Sequence, residues 1–337
     1  MFSEIAFGVQ LDSQQNDHRF TRAFDTVQAA CNRRFTQPFW KLVRFFQASA
    51  DERAIRRETK VMRGFARDVI RAKRRTLASG GAKKLGPDLL SRFLTSAAKR
   101  GEVVTDDDLI DIVLNFIIAG RDTTASALSW ATMRLMQNGG AAAKLIAEAN
   151  AQCGDGGSGG GSGGLLALSA EDAFNVCYSQ LPYARAVASE TLRLHPSVMM
   201  DSKVAKAPDT LPDGTPVHER AVMMWSNYVM GRDPTLWDDP LRFSPERWLD
   251  GQPDASSSLY KPAAAVSDFK YPVFNAGPRI CLGRPLAYLE IQLMLAALWP
   301  RFELAAHGDG ALSEDYVQSL VSPMKRGLWV TAKKRKV

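Results

Sequence analysis

The residue run with the most chemical potential is Phe274-Asn275-Ala276-Gly277-Pro278-Arg279-Ile280-Cys281-Leu282-Gly283. Cys281 closes a glycine-punctuated loop, and a helical pattern opens just after it at Arg284-Pro285-Leu286. Free N–H groups and the positive dipole end of a helix start stabilise a thiolate. Gly277 and Gly283 let the backbone approach a flat, bulky object closely. Arg279, two residues from the sulfur, suits an anionic group. A lone cysteine is usually inert core; this setting does not fit that habit. A second run, Ala119-Gly120-Arg121-Asp122-Thr123-Thr124, places a glycine and an acid inside a long apolar stretch. The third is Glu190 and Arg193, three residues apart. Read alone, that pair is an ordinary surface ion pair of little worth.

The elements that must position these groups are mostly helical. Thr105 with Asp106-Asp107-Asp108 supplies an N-cap hydroxyl and an acidic first turn. A proline-free run follows, and the pair Gly139-Gly140 is expected to end it. Its 34 or so residues would span roughly 50 Å at ~1.5 Å each. A central glycine costs a helix about 1 kcal/mol, and an ionised buried Asp costs more. A core helix that accepts both is built around something. Helix 182–194 starts at Pro182, stops before Pro196, and stacks Glu190 and Arg193 on one face. Beyond Leu211 the pattern turns to short strands and proline-rich turns, including Arg232-Asp233-Pro234 and Pro245-Glu246-Arg247-Trp248. A long irregular stretch inside a compact chain usually carries function.

Composition narrows the classes. The 337 residues are 45% hydrophobic and 23% charged, which is globular rather than disordered or fibrous. The net charge of +7 resides in 53–75, which holds ten basic residues against Glu58 and Asp68. A whole-surface nucleic-acid binder is therefore not indicated. That segment reads as an amphipathic helix with Val61, Phe65 and Val69 as its apolar stripe. Its basic face is expected to be solvated, with a membrane surface or acidic partner as the second reading. Cys31, Cys153, Cys177 and Cys281 are too scattered for a disulfide framework or zinc cage. No apolar run reaches transmembrane length, and the N-terminus has no signal-peptide pattern. Residues 154–164, with eight of the 25 glycines, read as a flexible loop. Lys333-Lys334-Arg335-Lys336 reads as a basic tail, with a nuclear-import cluster as the rarer alternative.

Four motifs together, in this order, resemble the cytochromes P450, the haem-thiolate monooxygenases. They are A-G-x-D-T-T at 119–124, E-x-x-R at 190–193, P-E-R-W at 245–248 and F-x-x-G-x-R-x-C-x-G at 274–283. E-x-x-R alone is noise; the ordered set is specific. The resemblance runs from residue 1 to about 330. FSEIAFGVQL, ETLRLHPSV and FNAGPRICLG look most like the plant and algal fatty-acid ω-hydroxylases.

That resemblance implies a mainly α fold with small β-sheets, forming one domain over 1–337. It implies haem b held by Ala119, Gly120, Phe274, Gly277, Arg279, Ile280, Cys281, Leu282 and Gly283. Cys281 would be the axial iron ligand, Arg279 a propionate partner, and Phe274 a shield beside the sulfur. Thr123 would bond the Ala119 carbonyl and open a groove beside Gly120. Asp122 and Thr123 would relay protons to bound dioxygen. Glu190, Arg193 and Arg247 would form a buried network under the irregular region. Val198, Met199 and Met200, with 322–327, would line an apolar cavity for a lipid or fatty acid. Electrons would come from NADPH through NADPH-cytochrome P450 reductase, docked at Lys270, Arg279 and Arg284. The expected location is the cytosolic face of the endoplasmic reticulum membrane.

Relatives of this kind are longer at the N-terminus, so the chain is expected to lack the N-terminal part of the fold. A haem-poor, non-catalytic remnant acting as a binding module is the competing class. An oxygen-independent peroxide-rearranging enzyme is the rival within the fold, and retention of Asp122-Thr123 argues against it.

Overall fold

The computed structural model describes residues 2–9, 18–79, 85–153, 164–251, 261–262, 265–308 and 312–335. Most of 154–164 therefore lies outside the described residues. The fold is mainly α with small antiparallel sheets, as the sequence leads one to expect. Its contacts fall into two compact units, 1–121 and 122–337.

The first unit holds α1 (Phe2–Phe7), α2 (Arg19–Arg33), α3 (Trp40–Phe45), α4 (Ala50–Ala78), α5 (Leu89–Arg100) and the start of α6 (Asp106–Gln137). Its core gathers Phe7, Phe20, Phe24, Met62, Ile70, Leu90, Ile110 and Ile117. The buried face of α4 is Met62, Ala66 and Ile70; Val61, Phe65 and Val69 flank it, half-buried. The expected stripe thus packs on the core, with Met62, Ala66 and Ile70 beside it more deeply buried.

The basic face of α4 is not simply solvated. Arg63 bonds Asp107 at 3.0 Å and Asp111 at 2.5 Å, and Arg67 bonds Asp107 at 3.1 Å. Arg74 bonds Asp106 at 2.9 Å, and Lys73 reaches the buried Asp88 at 2.7 Å. The acidic turn that starts α6 absorbs much of the charge that suggested an external partner. Thr105 caps that turn: its hydroxyl accepts from the Asp108 N–H at 3.1 Å, and Asp108 accepts in return from the Thr105 N–H at 3.3 Å.

The second unit carries the rest of α6, then α7 (Gly139–Cys153), α8 (Ala170–Ser179), α9 (Pro182–Leu194), α10 (Asn227–Met230) and α11 (Arg284–Leu298). Strands β1 (Met200–Val204) and β4 (Val222–Ser226) pair antiparallel, as do β2 (Asp209–Thr210) and β3 (Pro216–Val217). So do β5 (Leu249–Asp250) with β6 (Lys261–Pro262), and β7 (Phe302–Ala306) with β8 (Val330–Lys334). Two expectations are corrected here. Gly139-Gly140 opens α7 rather than closing α6. Asn138 does both jobs: its side chain donates to the Arg134 carbonyl at 2.7 Å, and its carbonyl accepts the Ala142 N–H at 3.1 Å. Within the basic C-terminal run, 333–335 is no free tail either, and Lys336 lies outside the described residues. Lys333 lies opposite Glu303 in the β7–β8 ladder, and Arg335 bonds the Trp299 carbonyl at 3.0 Å.

Helix α9 is buried over nearly its whole length. It fills the centre of a core that includes Leu135, Leu145, Trp237, Tyr271, Ile291 and Leu295. Its first N–H groups have no helical partner, and a side chain from α7 supplies one. Glu148 accepts from Tyr183 N–H at 2.7 Å and Ala184 N–H at 2.9 Å. Burial pushes the Glu148 carboxyl up to about 7, against the two N–H groups that favour its charged form. A raised carboxyl pKa contributes stability below its unfolded value that is lost as pH rises through the folded one. Chemical denaturation of the parent and of Glu148→Gln should therefore diverge between pH 4.5 and about 7. The parent is expected to lose up to about 3 kcal/mol relative to the variant over that range.

Candidate functional site

The site is built outward from α9. Glu190 and Arg193 are both fully buried, so the surface-pair reading does not apply. Glu190 accepts five hydrogen bonds. Arg193 gives two at 2.8 Å, Ser244 N–H one at 2.8 Å, Arg247 one at 3.0 Å and Trp248 Nε1 one at 3.0 Å. Arg193 also donates to the carbonyls of Gly231, Pro240 (2.7 Å) and Arg242 (3.0 Å). Arg247 adds the carbonyl of Asp238 at 3.1 Å. An irregular chain has no ladder for its carbonyls, and two guanidinium groups serve these instead. Gly231 is required here, because a Cβ would collide with the Arg193 carbonyl.

The Cys281 loop is hung from the same helix. Tyr271 donates to the Ser189 carbonyl at 2.8 Å, and the Tyr288 and Ser189 hydroxyls lie 3.1 Å apart. Burial holds the Tyr271 phenol well above its ordinary range, so it stays a donor. The Phe274 ring packs 5.2 Å from Tyr288. Short 3-10 turns at Pro272–Phe274 and Gly277–Arg279 then fold the loop back. The Cys281 N–H donates to the Phe274 carbonyl at 2.8 Å, which fixes the cysteine backbone. Gly283 is the N-cap residue of α11, so the thiol stands at a helix start.

Cys281, Arg279, Ile280 and Leu282 are exposed. Gly277 has φ +67°, and a Cβ there would meet nothing within 4 Å. A soft, accessible thiol with an apolar rim and an open glycine beside it fits the axial face of a haem. Arg279 makes no ion pair or hydrogen bond among the described residues. Of the residues expected to dock a reductase, Lys270 and Arg279 are exposed and Arg284 is half-buried. Arg284 pairs with Asp268 at 2.8 Å and lies over the Phe274 ring, and Lys270 lies over Trp237.

The centre of α6 is tied to the same elements. Asp122 and Thr123 are half-buried and Thr124 is buried; Ala119 and Gly120 precede them on the helix, in the first unit. Thr124 hydrogen-bonds Glu290 of α11, whose carboxyl burial pushes up. The Ser197 hydroxyl donates to the Thr123 carbonyl at 2.7 Å. The Ser322 N–H donates to the Ser197 carbonyl at 2.9 Å, while the Ser322 carbonyl accepts from Ser126 and Trp130. Residues 197–200 and 322–324 are thereby brought together against α6. Val198 is half-buried, Met199 buried, and Met200 exposed at the start of β1.

Sequence reasoning passed over His195 entirely. Its ring stacks on Trp130 at 4.1 Å and accepts from Arg134 Nε at 2.9 Å. Burial, with Arg134, Arg232 and Arg193 nearby, pushes it down to about 2, so it stays neutral. Its position just before Pro196 at the end of α9 was the available signal.

Comparison with known proteins agrees with this geometry. The family model for cytochrome P450 matches residues 1–330. Cytochrome P450 CYP94D108 of Paris polyphylla is 33% identical over all of this chain and 62% of its own. Cytochrome P450 94A1 of Vicia sativa is 32% identical over 98% of this chain and 60% of its own. Cytochrome P450 monooxygenase cyp1 of Mycosarcoma maydis is 33% identical over 98% and 51%. The chain spans about three fifths of the length of the first two relatives.

Removing the carboxylate at 190 would strand the buried Arg193 guanidinium, the half-buried Arg247 and a tryptophan N–H. Glu190→Gln is expected to cost about 3–5 kcal/mol in urea unfolding.

Proposed function

The chain belongs to the cytochrome P450 family, and from that premise we propose that it is a haem-thiolate monooxygenase hydroxylating a fatty acid or related lipid, at or near the ω end. The observation that carries this reading is the accessible Cys281 thiol, pinned through its backbone to Phe274 at a helix start. Haem, when bound, supplies dioxygen binding and insertion of one oxygen atom into a C–H bond.

The chain's own residues do the rest. Cys281, at the start of α11, would hold the metal through its sulfur. Arg279 neutralises an anionic edge of the group. Gly277 leaves room for its plane, with Ile280, Leu282, Gly283 and Phe274 beside it. On α6, Ala119 and Gly120 keep the helix surface low. Asp122 and Thr123 would carry protons into the site when the group is bound. Val198, Met199 and Met200 present flexible apolar surface that suits an alkyl chain and keeps water away. Glu190, Arg193 and Arg247 hold the irregular segment that carries the Cys281 loop.

Electrons are assigned to NADPH through its reductase, with the exposed Lys270 and the half-buried Arg284 as basic contacts. The proposed setting is the cytosolic face of the endoplasmic reticulum. Among the described residues no helix is long and apolar enough to cross a membrane, and anchoring by other parts of a longer protein is compatible with that.

The test is a reduced, carbon monoxide difference spectrum of the purified chain with haem. The parent should give a red-shifted, thiolate-type Soret band, and Cys281→Ser should lose it. A band unchanged in Cys281→Ser would remove the assignment, and a chain that takes up no haem would favour the binding-module reading.

A further inference from the structure

We infer that Asn275 is a positioning residue that fastens the Cys281 loop to strand β1 through Asp201; the role rests on the haem-thiolate reading above. The backbone of Asn275 sits at φ 62°, ψ 177°. That region suits glycine and strains any residue with a Cβ. Glycine would close the same turn with less strain, so the asparagine side chain must supply something.

Both ends of that side chain are engaged. Its Oδ1 accepts the Ala276 N–H at 2.8 Å, and its Nδ2 donates to Asp201 Oδ2 at 2.8 Å. Lys203 Nζ stands 3.5 Å from the same Oδ1. The other oxygen of Asp201 accepts the Ser202 N–H at 2.7 Å. Asp201 follows Met200 in β1 and faces Trp225 across the ladder.

The neighbouring residue in the loop is the one that fixes the cysteine. Phe274 accepts the Cys281 N–H at 2.8 Å, and Asn275 itself donates to the Pro272 carbonyl at 2.8 Å. Turning Asn275 out of its strained geometry would rotate the peptide that holds Cys281. The Asn275–Asp201 bond therefore sets the register between the thiol and the strand that begins at Met200. A charge-assisted bond of this kind is among the stronger single contacts available to a loop.

The donor arithmetic gives a specific test. Asn275→Asp sets two carboxylates face to face, and Asp201→Asn leaves one carbonyl oxygen for two donors, Asn275 Nδ2 and the Ser202 N–H. The exchanged pair, Asn275→Asp with Asp201→Asn, restores one acceptor facing one donor, and every other bond named above keeps an acceptor. Each single variant should speed hydrogen exchange at the Cys281 amide by about tenfold, with the exchanged pair returning most of it. Amides of α2 should not change in any of them. With haem, the singles should lose part of the thiolate-type Soret band and the exchanged pair should regain it.

Exchange in the singles equal to the parent, or an exchanged pair no better than either single, would overturn the inference. If Asn275→Asp fails to fold, Asp201→Asn and the exchanged pair still decide it. Asn275→Gly, which that backbone accepts, should keep its melting temperature while its Cys281 amide exchanges faster; unaltered exchange there would count against the role. Should the parent take up no haem, the haem-thiolate reading fails, and the amide data still judge the tether separately.

Discussion

A single carboxylate, that of Glu190, bears most of the structural order in the second unit. It accepts from two guanidinium groups, one indole and one backbone N–H; the carboxylate and Arg193 are fully buried, and the other donors are half-buried. Burying a carboxylate is costly, and only a full complement of donors offsets that. The requirement reaches far along the chain, because the donors come from 193, 244, 247 and 248. Arg193 then uses its remaining N–H groups on the carbonyls of 231, 240 and 242. The stretch from Gly231 to Trp248 is held without helix or sheet because these two side chains stand in for a ladder. An aromatic stack continues from there: Trp237, Trp248 and Tyr271 have centroids 4.8 to 6.2 Å apart. Tyr271 is the footing of the Cys281 loop. Rigidity at the thiol is inherited from a helix ninety residues upstream.

The same economy of charge governs the first unit. A +8 segment suggests an external anion, yet four of its ten basic side chains, Arg63, Arg67, Lys73 and Arg74, hydrogen-bond with Asp106, Asp107, Asp111 and Asp88 within the fold. Near the Cys281 loop, Arg284 pairs with Asp268 and Lys270 lies over Trp237, while Lys270 and Arg279 stay exposed. Sequence-level charge counts report what a chain could attract, while the fold decides which charges remain outward.

The sequence was most informative where punctuation is chemical. Pro182 and Pro196 bound α9 to the residue, since proline is welcome at a helix start and unwelcome just after its end. Thr105 and its acids marked the start of α6 for a similar reason. At the other end of α6, two glycines pointed to a stop, but Asn138 met the need first. The stripe on α4 was legible as a core-facing row, while the deeper row beside it, Met62, Ala66 and Ile70, was not singled out, since Ala66 carries little hydrophobic bulk. Three groups were invisible for a deeper reason. Glu148, His195 and Asn275 act through partners 35, 61 and 74 positions away in the chain. No local pattern encodes such a pairing, and only the fold shows that the glutamate caps, the histidine is neutral, and the asparagine is strained. The four motifs were legible because each packs its function into ten residues or fewer. The network that joins them was not.

The central claim is that this scaffold exists to present one cysteine sulfur to a haem iron. X-ray absorption at the iron edge of the ferric, haem-loaded chain examines that bond directly. The account predicts a sulfur scatterer in the first coordination shell that disappears in Cys281→Ser. A shell of nitrogen and oxygen alone in the parent protein would contradict it.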